Sequence, residues 1–122
     1  MDVGGVVRSI AEALGDRALF IGGVAVEAYV AYRRTHGIDV IVTSADLQRL
    51  RDLLEGQGFL YRESPPRQKH VFKAGERGEV DAYTDRVGDT TVTDLLFDRG
   101  RRLEYAGTSI LVASLEDLMA LK

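Results

Sequence analysis

Apolar residues at Val6, Val7, Ile10, Ala13 and Leu14 repeat at the three- and four-residue spacing of one helical face. They predict a helix over residues 6–14, ended by Gly15-Asp16. The apolar run 18–21 is too short for a helix and predicts a buried strand. Gly22-Gly23 follows, and helical spacing returns over 24–32, with Val24, Ala25, Ala28, Tyr29 and Tyr32 available to one side. Residues 38–42 are β-branched except at Asp39 and predict a second strand. Thr43-Ser44-Ala45-Asp46 has the form of a capping box, and the helix behind it repeats leucine at Leu47, Leu50, Leu53 and Leu54 before Gly56 or Gly58 stops it.

Farther on, 59–62 predicts a strand. Ser64-Pro65-Pro66-Arg67 cannot be regular structure, because two prolines remove two backbone donors. Residues 70–73 and 79–83 flank a glycine-containing loop and predict a hairpin. The polar stretch 85–91 reads as a loop, 92–97 as a short helix, and 102–105 with 109–112 as a second hairpin across Ala106-Gly107. Ser114 caps a last helix that runs to Lys122. Helix and strand alternate early and hairpins follow, which predicts an α/β (mixed α+β) fold: a mixed β-sheet with helices packed on it. Neither a repeat nor a linker interrupts the chain, so residues 1–122 read as one domain.

Composition narrows the function classes. A net charge of -3 gives no electrostatic case for nucleic acid or an anionic membrane. No apolar run reaches the length of a membrane span, and the N-terminus lacks signal-peptide character, so the expected compartment is the cytoplasm. Cysteine is absent, which removes disulfides, thiolate metal sites and cysteine nucleophiles together. Asparagine is absent too, and arginine far outnumbers lysine. That is the composition of a heat-adapted, thermostable protein and equally of a GC-rich genome.

The candidate chemistry lies around the glycine pair. Gly22-Gly23 between strand and helix allows a sharp turn and close approach of a ligand to backbone amides. Asp39 is a lone acid in an otherwise apolar strand, costly to bury unless paired or metal-bound. The two-residue period of a strand places Gly37, Asp39 and Ile41 on one face, and Glu79 with Asp81 on one face of a later strand. Were those strands neighbours, Asp39, Glu79 and Asp81 would converge, a hard-oxygen set suited to Mg²⁺. Arg33 and Arg34 are phosphate-binding candidates at a helix end. His36 is a poor Mg²⁺ ligand. Arg67, Lys69, His70 and Lys73 form a basic cluster that reads as a solvated strand face.

The order Gly22-Gly23, Arg34-Thr35-x-x-Ile38-Asp39-Val40, Val80-Asp81 and Ser114-Leu115-Glu116-Asp117-Leu118-x-x-x-Lys122 resembles the nucleotidyltransferase superfamily, above all its small prokaryotic minimal and AbiEii-type members. The resemblance implies a nucleotidyltransferase-like mixed sheet and a nucleotide site built on Gly22, Gly23, Arg34 and Thr35. It also implies divalent metal, Mg²⁺ or Mn²⁺, held by Asp39 and Asp81 as the second and third acids of the family's set. In that family a substrate hydroxyl attacks the α-phosphate of a nucleoside triphosphate and pyrophosphate leaves. The first acid is replaced by Gly37, with Glu79 the geometric candidate to stand in. Two readings follow: a Mg²⁺-dependent transferase with unknown acceptor, or a degenerate binding module with a protein partner, as in toxin–antitoxin pairs. A ligand-free scaffold is the blander third. A homodimer through the last helix is compatible with each.

Overall fold

The computed structural model describes residues 2–30, 35–64, 69–75 and 78–121. Among these residues the first helix, α1 (Val3–Leu14), starts three residues before its apolar stripe, because Asp2 caps it: the Gly5 amide donates to Asp2 Oδ1 at 3.1 Å. A single 3₁₀ turn leads into β1 (Ala18–Ile21), all four residues of which are buried. The glycine pair is not a separate turn. It forms the first residues of α2 (Gly22–Val30), which is followed by β2 (Gly37–Val42).

Next come α3 (Ser44–Gly56), β3 (Leu60–Ser64), β4 (Lys69–Ala74) and β5 (Gly78–Tyr83). The Thr43 cap differs from the expected box. Its hydroxyl donates to the Asp46 carboxylate at 3.0 Å instead of accepting from a backbone amide. The stretch expected as a plain loop contains two short paired strands, β6 (Arg86–Val87) and β7 (Thr90–Thr91). Then α4 (Asp94–Asp98), β8 (Arg101–Tyr105), β9 (Thr108–Val112) and α5 (Leu115–Ala120) complete the described chain. The Pro65-Pro66-Arg67 segment and the final Lys122 lie outside the described residues.

Seven strands form one mixed sheet in the order β3-β4-β5-β2-β1-β9-β8. β1 runs antiparallel to β2 and parallel to β9, β2 runs parallel to β5, and the β4–β5 and β8–β9 pairs are antiparallel hairpins. One sheet face packs Phe20, Val40, Phe72, Val80 and Ile110 against Ile10 of α1 and Leu50 and Leu54 of α3. On the opposite face Leu19, Ile21, Ile41 and Leu111 pack with Leu96 of α4 and Val87. Lys69 and Lys73 of β4 and Glu79 and Asp81 of β5 lie beside this second cluster, on the same face, whereas His70 points to the first. No helix among the described residues is long and apolar enough to cross a membrane.

Candidate functional site

The site begins at the junction of β1 and α2. Gly22 has φ +62°, a conformation that an L side chain resists, and a Cβ built there would lie 2.6 Å from Asp39 Oδ2. Gly22 therefore admits the carboxylate of Asp39 against the start of α2. A Cβ on Gly23 would collide with the side chain of Thr35. The Thr35 hydroxyl donates to the Gly37 carbonyl at 2.9 Å. Thr35, a candidate nucleotide contact, thus lies against Gly23 and bonds the strand entry. Arg33 and Arg34 lie outside the described residues.

The expected strand adjacency is present. In the β2–β5 register Asp39 stands opposite Asp81 and Gly37 opposite Glu79. The Tyr83 hydroxyl donates to Asp39 Oδ1 at 3.3 Å, and Lys69 Nζ donates to Asp81 Oδ2 at 3.1 Å. Asp81 Oδ1 is buried with no hydrogen-bond partner among the described residues. Glu79 is more open, with Lys73 Nζ 3.7 Å away. At Gly37 a Cβ would meet nothing closer than the Glu79 carbonyl at 3.6 Å, so the position has room for a Cβ.

Electrostatics follow from this packing. Burial raises the Asp39 carboxyl above its ordinary value; the Tyr83 hydroxyl bond and the Lys69 charge oppose the rise, and Glu79 adds to it. Asp81 is pushed up to about 6, first by burial and then by Glu79, with Lys69 opposing. The Tyr83 phenol is raised by burial and by the negative charge of Asp39 and Asp81, so it stays a proton donor at neutral pH.

Does this donor set suit a divalent cation? The orphaned Asp81 Oδ1 and the Asp39 Oδ2 cleared by Gly22 are two hard oxygens on adjacent, registered strands. Two carboxylate oxygens, completed by water and phosphate oxygens, are a donor set of the chemistry that Mg²⁺ takes. Among the described residues no group of three His, Cys, Asp or Glu side chains is placed to hold a metal, so Glu79 does not complete a three-acid cage.

Sequence reasoning missed Lys69 and Tyr83. Both follow from the hairpin register, in which Lys69 is opposite Tyr83 and Lys73 opposite Glu79. The expected basic cluster is divided: Lys69 and Lys73 meet acids, whereas the His70 Nδ1 is 2.7 Å from the Tyr61 hydroxyl on the other face of the sheet. His36 takes no part among the acids. With Thr35, Glu27, Glu104 and Tyr105 it lines a separate cavity of about 640 Å³ beside α1 and β8.

A mixed sheet that sets two aspartates on adjacent parallel strands, beside a helix opened by a glycine pair, has the nucleotidyltransferase fold. Among solved structures, the chain superposes on the antibiotic-resistance factor ANT(2'')-Ia with a TM-score of 0.73 at 18% identity, over 98% of this chain and 70% of that one. A candidate nucleotidyltransferase from Thermotoga maritima gives a TM-score of 0.67 at 16% identity, over 98% and 84% of the two chains. The lincomycin-bound lincosamide antibiotic adenylyltransferase LnuA gives 0.63 at 16% identity, over 84% and 73%. Identity at this level establishes the fold alone. No protein-family model and no curated protein matches the sequence.

Proposed function

We propose that this face binds a nucleoside triphosphate with one divalent cation, Mg²⁺ or Mn²⁺, and transfers the nucleoside monophosphate to a small hydroxyl-bearing acceptor. The observation that carries the reading is the registered pair Asp39 and Asp81, with a buried unpartnered oxygen on Asp81 and a Cβ-free approach at Gly22. In the transfer an acceptor oxygen bonds the α-phosphorus, the bond to the pyrophosphate oxygen breaks, its electron pair leaves with pyrophosphate, and the hydroxyl proton passes to solvent. The cation supplies neutralisation of the charge that develops on the phosphates. Asp39 and Asp81 would hold it, Tyr83 orients Asp39 through its hydroxyl, and Gly22 lets the Asp39 carboxylate pack against the start of α2. The ANT(2'')-Ia structures include one with adenylyl-2"-tobramycin, so hydroxyls of antibiotics are the first acceptors to offer.

A second reading is favoured by a specific observation. Gly37 supplies no acid, and Lys69 already occupies one oxygen of Asp81. A site so altered would keep nucleotide binding and lose transfer, leaving a binding module for a protein partner of the AbiEii toxin–antitoxin kind or for a second copy of the chain. Incubation with α-labelled ATP or GTP, Mn²⁺ and tobramycin or lincomycin separates the two. Transfer by the wild type that Asp39→Ala abolishes supports the enzyme. Transfer only by Gly37→Asp supports the binding module. Calorimetry that finds no heat with ATP and Mn²⁺ would remove both.

A further inference from the structure

The β4 strand sets two lysines against two acids of β5. Lys73 is directly opposite Glu79, and this pair is loose, 3.7 Å apart with side chains 56% and 40% exposed. Lys69 is opposite Tyr83 and reaches diagonally to Asp81, 3.1 Å away, with side chains only 19% and 13% exposed. Its ammonium is therefore drawn inward over the acid pair. Among the described residues it is the sole cationic group in hydrogen-bond contact with either aspartate.

A tethered ammonium and a divalent ion compete for the same oxygens. While Lys69 holds Asp81 Oδ2, an incoming ion can use only the other oxygen of that carboxylate. It must also approach a like charge in a partly buried setting, where screening by water is weak. We infer that Lys69 is the resident cation of the acid pair, and that it must leave Asp81 before a divalent ion can bind both carboxylates. Asp81 has two oxygens and shares the pair with Asp39, so the exchange replaces one positive charge by two where two negative charges meet. The Lys69 ammonium then turns to the nearest anion, and for a bound nucleotide that is phosphate. The identity of the competing ion rests on the nucleotide-site reading above. The placement of Lys69 does not.

The test uses Mn²⁺ alone, without nucleotide, titrated into the protein and followed by the electron paramagnetic resonance of free Mn²⁺. Lys69→Met should bind Mn²⁺ at least about ten-fold more tightly than wild type, since it removes both the competitor and the repulsion. Lys73→Met makes the same charge change opposite Glu79, two positions along β5 from Asp81 and in ion-pair contact with Glu79 instead of an aspartate, and should stay within roughly two-fold of wild type. Lys69→Arg should not tighten binding, and adding Asp81→Asn to Lys69→Met should abolish the gain. Circular dichroism confirms folding of each variant. If Lys69→Met does not fold, Lys69→Gln, which still donates a hydrogen bond to Asp81, carries the same expectation. Unchanged Mn²⁺ affinity on neutralising Lys69, or equal tightening by Lys73→Met, overturns the inference and leaves a plain ion pair. Nucleotidyl transfer is assayed apart: its absence beside a raised Mn²⁺ affinity would sink the transferase reading and leave this one standing.

Discussion

Gly22 is the residue at which one added methyl group should do most harm. Its φ of +62° is a conformation that alanine resists, and the new Cβ would stand 2.6 Å from the Asp39 carboxylate. The backbone penalty alone is about 1 kcal/mol, and displacing a packed carboxylate adds to it. Gly22→Ala should therefore lose about 2 kcal/mol by urea denaturation and weaken ATP binding in parallel. Gly75 is the control: its φ is +65° but a Cβ there meets nothing within 4 Å, so Gly75→Ala should cost only the backbone share. Equal losses at the two glycines would show that Asp39 does not depend on the cleared space. The glycine pair was legible in the sequence as a place of close approach. Which atom approaches was not, because Asp39 lies seventeen residues downstream of Gly22 and arrives only through the β1–β2 pairing.

At the scale of elements, α4 and α5 are pinned by one ion pair. Arg99, at the end of α4, donates from Nε and Nη2 to the two oxygens of Asp117, each at 3.0 Å. The Asp117 amide donates to Ser114 Oγ at 3.1 Å. The bidentate Arg99 contact, foremost, and the Ser114 hydroxyl hold the Asp117 carboxyl below its ordinary value, with burial opposing them. A depressed carboxylate stabilises the fold above its unfolded pKa of about 3.9, and that contribution is lost as pH falls through the lower folded value. Asp117→Ala should thus cost about 1–2 kcal/mol near neutral pH, at the low end for a buried pair because Arg99 is half exposed and rehydrates. The gap between variant and wild type in urea midpoints should close in strong acid; a gap that persists there would assign the loss to packing instead. The helices and hairpins around this pin were legible, since apolar period and turn glycines declare them locally. The Arg99–Asp117 and Lys69–Asp81 pairs were not: each joins residues whose meeting depends on how whole elements dock or register. The two-residue strands β6 and β7 are too short to carry any period at all.

Taken over the whole molecule, the candidate site and the pin pull stability in opposite senses with pH. Asp81 is raised to about 6 and Asp39 is raised as well, in both cases first by burial. A raised carboxyl binds its proton more tightly in the folded chain than in the unfolded one. The folded state therefore gains stability as pH falls from the folded value toward the unfolded value of about 3.9, and loses it as pH rises through the same window. Below that window the Asp117 contribution declines and reverses the trend. The melting temperature should accordingly peak between about pH 4 and pH 6 and fall toward neutrality, by an amount on the order of 1–2 kcal/mol in stability. Asp81→Asn should flatten the decline on the neutral side while leaving the acid limb in place. Ionising these two partly buried acids thus costs the sheet stability, a cost that a bound cation would offset. Scanning calorimetry at a series of pH values, with and without Mn²⁺ and ATP, tests this directly. Ligand should raise the melting temperature most near neutral pH, above the Asp81 value of about 6, and least near the peak. A ligand-induced rise that grew toward acid would mean that Asp39 and Asp81 are not where the cation binds.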